Sequence, residues 1–408
     1  MTHPPVQPPW KEHHGALRGL RVLDLSRILS GPFCTMTLAD LGADVIKVED
    51  TRSGDDTRSW GPPFQGGTAA YFLSVNRNKR GIALDLKDAE CHQLLRGLAA
   101  TADVVVENFR PGVAARLGFG YDDIAEMNPR VVYASISGYG QTGPLRQEAG
   151  YDAIAQALSG VMSVTGEADG PPARFGVSGA DLAAGMWATV GILAALHDRE
   201  RTGRGQWVDI SLLDGQIAWL TYVASAYFAT GVTPGRYGSA HPTIVPYQAF
   251  PTADGHLMVA AGNDGLWRRF AEVIGLGDCV RDPRFATNPD RVRNRDHLLP
   301  LIGQVLATRS ARHWTKLLTE AGVPAGPINS VGEALAHPQV VAREMVTETT
   351  HATAGVVRMV GCPVKLPASP PRVRTPPPQQ GEHTDDVLTA LGADADLLAA
   401  LRSRGAIR

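Results

Sequence analysis

Asp181 follows the small-residue run Gly176-Val177-Ser178-Gly179-Ala180 and opens a long apolar segment at 182–196. A carboxylate in that setting has two uses. As a helix N-cap, its oxygen accepts the free N–H groups of the first turn. As a nucleophile it relies on the same N–H groups and on the positive end of the helix dipole to keep it ionised, while Gly179 and Ala180 leave room for a large ligand. Asn76-Arg77-Asn78-Lys79-Arg80 concentrates three cations before a strand, either as a solvated loop or as a grip on phosphate. Asn108-Phe109-Arg110-Pro111-Gly112 stands at the carboxyl end of a β run, the edge where open α/β sheets bind ligands, and Arg116 follows closely. Gly138-Tyr139-Gly140-Gln141-Thr142-Gly143 fits G-x-G-x-x-G, but Pro144 comes where a helix should begin and the preceding strand is at least the fifth. A nicotinamide site is therefore not expected there, whereas a glycine loop beside some ligand is. Asp152 reads as the N-cap of a short helix over 153–158. Cys34, Cys91, Cys279 and Cys362 are scattered without Cys-x-x-Cys pairing or nearby His, which predicts packing residues, a reducing compartment and no metal site.

These residues need a scaffold. Short β-branched runs at 20–25, 44–49, 82–86, 103–107, 131–136 and 206–212 alternate with helical stretches, 88–100 being the clearest. That alternation predicts an α/β protein with a Rossmann-like large domain. A strand pair at 246–250 and 255–260, followed by helices rich in Arg and Leu, predicts a smaller α+β domain. The expected division is an unstructured tail over 1–15, a large domain over 16–225, a small domain over 226–336, and a connector returning to the large domain over 337–408. The proline clusters between Pro367 and Pro378 cannot continue a helix or a central strand. Hydrophobic residues at 44% and charged residues at 20% are the balance of an ordinary soluble enzyme. A net charge of -2 supplies no field for nucleic acid or acidic membrane. The amino terminus lacks the basic start and apolar centre of a signal peptide, and no uninterrupted apolar run reaches the roughly 18 residues of a membrane span, so a cytoplasmic protein is expected.

Several motifs recur together, and in the same order, in the family III CoA-transferases of the CaiB/BaiF type. They are Ser30-Gly31-Pro32, Leu41-Gly42-Ala43-Asp44-Val45-Ile46-Lys47-Val48-Glu49, the loop beginning at Asn76, Val106-Glu107-Asn108-Phe109-Arg110-Pro111-Gly112, Asn128-Pro129-Arg130, Thr202-Gly203-Arg204-Gly205-Gln206 and Gly381-Glu382-His383-Thr384. The chain resembles that family along nearly its whole length. The resemblance implies an interlocked homodimer, no permanently bound cofactor, a CoA thioester as substrate and Asp181 as the nucleophile. It also implies CoA contacts along Leu29, Ser30, Asn76, Arg77, Asn78, Lys79, Asn108, Phe109, Arg110, Arg116, Ser137, Gly138, Tyr139 and Gly140. Asp50 stands where some members carry a CoA-contacting Arg, with Arg52 as the substitute, and Ser137 stands where formyl-CoA transferase has a Lys. Ala261-Gly262-Asn263-Asp264-Gly265 resembles the mobile loop that covers the active site, and the oxyanion site falls either there or at Gly138 and Gly140.

The segment Ala240-His241-Pro242-Thr243-Ile244-Val245-Pro246-Tyr247-Gln248 resembles members that take succinyl-CoA and a dicarboxylate. A dicarboxylate keeps one carboxylate unreacted, so the pocket should hold a cation or several donors, and Arg27, Arg58 and His241 are the candidates, with His241 reading equally as a structural residue of the small-domain strand. The implied reaction runs through an aspartyl anhydride and an aspartyl-CoA thioester. Two other readings stand beside it. α-Methylacyl-CoA racemisation needs acid and base groups on both faces of the α-carbon, but Gly150-Tyr151-Asp152 puts a phenol where the racemases carry His. A non-catalytic CoA-binding homologue would have no need of the carboxylate at Asp181.

Overall fold

Six β-branched runs form one parallel sheet. They are β1 (Arg21–Asp24), β2 (Asp44–Glu49), β3 (Lys79–Ala83), β4 (Val104–Glu107), β5 (Val132–Ser137) and β6 (Trp207–Ser211), in the order β3-β2-β1-β4-β5-β6. Because side chains alternate along each strand, Leu23, Ile46, Ile82, Val105 and Tyr133 enter one apolar layer while Val22, Val45, Val104, Val132 and Ala134 enter the other. A parallel sheet must be covered on both faces. The helix α1 (Ser30–Asp40) and the helix α4 (Gly179–Thr202) cover the second layer, and α2 (Ala89–Thr101), capped by Asp88, covers the first. Two further short helices, α3 (Asp152–Leu158) and α5 (Leu212–Trp219), pack on α4.

The computed structural model describes residues 9–408. The expected unstructured tail over 1–15 therefore lies partly outside the described residues, and the part inside them is ordered. Trp10 Nε1 donates to Thr101 Oγ1 at 2.8 Å, and the Lys11 amide donates to Asp44 Oδ2 at 2.7 Å. The third strand begins at Lys79, earlier than its β-branched run suggests, because ion pairs hide the charges of Lys79 and Arg80 on Asp24 and Asp44. The helix α4 is 24 residues long, with a mean hydropathy of 1.5 over its most apolar window, which meets the length and composition of a membrane span even though Asp181 and Asp198 bound its uninterrupted apolar run. Half of that window is buried against the rest of the protein.

The chain divides into two compact units. One comprises 1–161, 175–222 and 339–408, and the other 162–174 and 223–338. The division expected from sequence places 162–174 in the large domain; nothing in that Gly- and Pro-rich stretch marks an excursion. The second unit is built on a three-stranded antiparallel sheet, Ala325–Pro327, Gly255–Ala260 and Tyr247–Thr252, whose core gathers Trp267, Phe270, Leu298 and Trp314 from its helices. In the first unit the carboxyl-terminal segment lies along β3, the sheet edge. The His383 amide donates to the Gly81 carbonyl at 2.9 Å, the Asp85 amide to the Ala406 carbonyl at 2.8 Å, and the Ala83 amide to Thr384 Oγ1 at 3.1 Å. An otherwise open edge is thereby covered.

The segment expected to grip phosphate is part of this anchoring. Arg77 is 2% exposed, pairs with Asp40 through Nε and Nη2 (3.0 and 2.6 Å) and donates from Nη1 to the Val360 carbonyl at 2.8 Å. Asn78, at a positive φ of 63°, donates to Asp40 and to the Arg372 carbonyl and accepts from the Arg374 and Thr375 amides. Lys79 donates to Asp24 (3.0 Å), the Pro32 carbonyl (3.0 Å) and Asn76 Oδ1 (2.9 Å), which uses all three of its protons. The side chains of Asn76, Arg77, Asn78 and Lys79 are thus committed inside the protein, and the charge of this loop is not offered to a ligand. Removing one partner of a buried ion pair costs about 3–5 kcal/mol. Arg77→Met should lower unfolding free energy by about that amount in a urea titration, while the KM for an acyl-CoA stays within about twofold of wild type.

Candidate active site

The strand order reverses between β1 and β4, since β2 and β3 lie on one side and β5 and β6 on the other. The carboxyl ends of strands flanking such a reversal leave a crevice, because their outgoing loops turn to opposite sides. The cleft lies there. Arg27, Ile28 and Ser30 line it after β1, Asn108, Phe109 and Arg110 after β4, Ser137 and Gly138 at the end of β5, and Leu212 after β6. Asp181 enters from α4, and Glu148, Gly150 and Tyr151 close another side. The structure thus brings Ser30, Asn108, Phe109, Arg110, Ser137 and Gly138 together with Asp181, as the sequence suggests. Gly138 is needed for packing: a Cβ on it would lie 2.6 Å from the Cα of Gly150, so the two backbones meet where no side chain fits.

Other candidates fall elsewhere. Leu29 packs with Met36, Val75 and Tyr71. Arg52 is exposed, and its amide donates to Asp50 Oδ1 at 2.9 Å. Arg116 is exposed at the end of the short helix Val113–Arg116. Tyr139 is half-buried, and the Gly140 amide is spent on Ser137 Oγ at 2.9 Å. In the second unit, Gly262 precedes a helix, Asp264–Val273, whose N-cap Asn263 accepts the Leu266 amide, while Asp264 pairs with Arg291 at 2.7 Å. This stretch, expected as a mobile covering loop, is a capped helix start, which accounts for its asparagine and aspartate. His241 Nδ1 accepts the Thr243 amide at 3.2 Å and its ring lies 5.6 Å from Tyr247, as a structural residue of that unit does. Arg58, a candidate for the free carboxylate, is clamped by Glu49 through two bonds of 2.7 Å and stacks over Phe72 at 3.6 Å. Cys34 is fully buried, and burial pushes its thiol up to about 12, so it is a packing residue.

Asp181 itself differs from the expectation. Its helix begins at Gly179 with Ser178 as N-cap, so Asp181 is the third helical residue and caps nothing. The first-turn amides are taken by Asp152, whose Oδ1 accepts from Ala180 at 2.8 Å and from Asp181 at 3.4 Å. Asp152 in turn does not cap its own helix, whose N-cap is Tyr151. Gln156 Nε2 donates to Asp152 Oδ2 at 2.8 Å and Gln156 Oε1 accepts the Phe175 amide at 2.8 Å. The amides that would have kept Asp181 ionised therefore serve another carboxylate, and burial, reinforced by Asp152, pushes Asp181 up to about 7. Tyr71, from the helix Ala70–Val75, is pushed up to about 12 by burial and by Asp181, which places it in the same neighbourhood. Glu107, raised to about 7 by burial, accepts the Phe109 amide at 2.8 Å and fixes that wall of the cleft. Neither Tyr71 nor the pairing of Asp152 with α4 has a signal in the sequence, since both depend on contacts between distant segments.

A carboxylate made basic by its surroundings, in a cleft edged by arginines, suits attack on an activated carbonyl. The chain belongs to the CoA-transferase family III, whose model matches residues 17–384. Over 372 residues it is 45% identical to the succinyl-CoA:glutarate CoA-transferase of Mus musculus, covering 91% of this chain and 85% of that protein. Over 353 residues it is 44% identical to the acetyl-CoA:oxalate CoA-transferase of Acetobacter aceti, covering 86% and 89%. A CaiB/BaiF family protein from Brucella suis has a similar fold, with a TM-score of 0.84 at 40% identity over 93% of this chain and all of that one. The protein is an enzyme of the CoA-transferase class.

The raised Asp181 carboxyl has a defined effect on stability. Its folded value lies above its ordinary 3.8, so the folded state holds the proton more tightly and stability is lost as pH rises towards and through about 7. Asp181→Asn removes that loss. The variant should melt several degrees above wild type near about pH 8 and at the same temperature near about pH 3.5, as read by differential scanning calorimetry.

Proposed function

We propose that this enzyme moves CoA from succinyl-CoA to a dicarboxylate through covalent intermediates on Asp181. The observation that carries the reading is the half-buried, basic carboxylate of Asp181 in a cleft that Arg27 and Arg110 border. An oxygen of Asp181 attacks the thioester carbonyl, the C–S bond breaks, and CoA leaves as the thiolate while a mixed anhydride remains. The thiolate then attacks the Asp181 carbonyl of that anhydride and releases the donor acid as its carboxylate, leaving an aspartyl-CoA thioester. The acceptor repeats the two steps in reverse. Dividing the exchange in this way keeps the acyl groups activated throughout.

The developing oxyanion has a candidate partner that the sequence does not indicate. The helix α1 begins without a side-chain cap or an acidic residue in its first turn, and its first residue, Ser30, lines the cleft with Asp181. Uncapped amides at a helix start favour negative charge. A second cleft shares Arg27 and Phe109 with the first. Lys87 borders it beside the apolar Leu84, Leu86 and Leu117, and Glu49, Asp50, Asp55 and Asp85 also line it, with Lys47 spent on Asp55. We assign the nucleotide end of CoA to that second cleft and the thioester end to Asp181, with Phe109 along the way. Arg27 pairs with the exposed Asp56 at 3.0 Å, and Arg110 is exposed, so either can turn to the free carboxylate of a dicarboxylate.

Incubation with succinyl-CoA alone should leave an adduct on the peptide containing Asp181, trapped by hydroxylamine and located by mass spectrometry, and Asp181→Ala should show neither adduct nor turnover. A matrix of donors against acceptors should favour succinyl-CoA and dicarboxylates such as glutarate. In it, Arg27→Met should raise the KM of dicarboxylates roughly tenfold or more without a matching rise for monocarboxylates. A preference for acetyl-CoA with oxalate would replace the substrate pair and leave the mechanism standing.

The working form we propose is a cytoplasmic homodimer of interlocked chains. The adjoining helices α3, α4 and α5 leave Ile154, Leu158, Met186, Trp187, Val190 and Ile217 exposed, an apolar face of the kind that protein interfaces cover. Light scattering should give twice the chain mass of 43.4 kDa at all working concentrations; a stable active monomer would exclude the arrangement.

A further inference from the structure

The position of Asp152 is unusual for a residue next to a nucleophile. A reaction that begins with an anionic carboxylate would ordinarily be given donors or cations around it, yet here a second carboxylate occupies the nearest amides. Asp152 Oδ1 lies 2.8 Å from the Ala180 nitrogen and 3.4 Å from the nitrogen of Asp181 itself. Gln156 holds the other oxygen at 2.8 Å, and the amide of Phe175, at the start of the segment leading into α4, holds Gln156. Asp152 is only 8% exposed, so solvent screens its charge weakly.

This inference rests on the covalent mechanism proposed above. In that mechanism the negative charge leaves Asp181 at the first step. It passes to the CoA thiolate, and in the second step it departs with the donor carboxylate, while both forms of the acylated Asp181 carboxyl are neutral. Repulsion between Asp152 and Asp181 therefore exists in the free enzyme and vanishes in both intermediates. We propose that Asp152 is a positioning residue that drives Asp181 into its acylated states, by holding a fixed negative charge against the free carboxylate while its hydrogen bonds fix the turn that carries it. The direction in which Asp181 is shifted agrees, with burial first and Asp152 second as the causes. The other groups around Asp181 are Tyr71, Tyr151 at the start of α3, the uncharged Ser30 and Gln216 from α1 and α5, and Arg27, Arg110 and Glu148 at the cleft. Arginines at the cleft are placed to meet departing and incoming carboxylates, whereas Asp152 acts on the nucleophile itself.

The same repulsion that raises the proton affinity of Asp181 raises its affinity for an acyl group, so a tenfold gain in the one corresponds to about a tenfold gain in the acylation equilibrium. Asp152→Asn keeps a carbonyl oxygen for the Ala180 amide and removes the charge. Loaded with succinyl-CoA near about pH 8, it should show a ratio of acylated to free Asp181 roughly tenfold below wild type. The acid limb of its kcat/KM profile should move down by about one pH unit. Asp152→Glu keeps the charge and should hold the limb near the wild-type position, which a purely structural loss would not do. If Asp152→Asn does not fold, Asp152→Ser, with a short acceptor for the same amide, carries both measurements. An unchanged acylated fraction and an unchanged acid limb in a folded, uncharged variant would overturn the proposal. Absence of any adduct in the wild type would instead overturn the covalent mechanism on which it depends.

Discussion

The first turn of α4 is buried, and its amide hydrogens cannot be left to water. Burying an unpaired amide costs about 1–3 kcal/mol, so some acceptor has to be brought to it from another part of the chain. Asp152 is that acceptor for Ala180 and, at longer range, for Asp181. Its placement requires α3 to pack beside α4, which sets the path of the chain through Gly150 and brings that glycine against Gly138. The cleft takes its shape from this chain of requirements. A structural need, satisfying a helix start, and a chemical one, placing a basic carboxylate, are met by the same contact.

A comparable economy governs the rest of the first unit. Lys79 joins β3 to β1 through Asp24 and to α1 through the Pro32 carbonyl, and Lys47 pairs with Asp55 at 2.9 Å with both side chains buried. Burial alone would raise Asp24, but Lys79 and Lys47 beside it hold its carboxyl below the ordinary value. Buried pairs of this kind add little net stability compared with apolar packing, yet each is strongly destabilising to break, so they fix which segments lie together. Asp40 with Arg77 and Asn78 does the same for the carboxyl-terminal return, whose stretch over 361–383 has no helix or strand of its own.

Strain also collects beside the cleft. Ile28 has a φ of 71°, a left-handed conformation that a β-branched residue adopts only under constraint. Its amide faces both oxygens of Asp55 at 3.3 Å, and Asp55 is held by Lys47 and by Thr57, which donates to it from both its amide and its hydroxyl. The Lys47 pair and those hydrogen bonds keep the Asp55 carboxyl near about 2 against the effect of burial, so the acceptor stays charged. The turn from β1 into α1 is thereby held open towards the cleft, and Arg27 and Ser30 are presented on either side of it. Such strain persists where surrounding structure over-determines it, which is common at ligand sites.

Short β-branched runs are enough to place five of the six strands within a residue or so. The turn and proline signals locate the strand pair of the second unit and the irregular connector. These are local properties, decided by side chains a few positions apart. The residues gathered at the cleft are legible as motifs, and Asp181 stands out because an acid before a long apolar run is rare without a reason. What the sequence leaves undecided are the properties that depend on partners far along the chain. Arg77 and Lys79 read as free cations because Asp40 and Asp24 are distant in sequence, and Asp152 reads as a local cap because α4 lies nearly thirty residues on. For the same reason the sequence alone gives the ionisation of Asp181 the wrong sign. A dipole argument counts the amides of its own helix, whereas the tertiary structure gives those amides to another carboxylate and replaces water with protein.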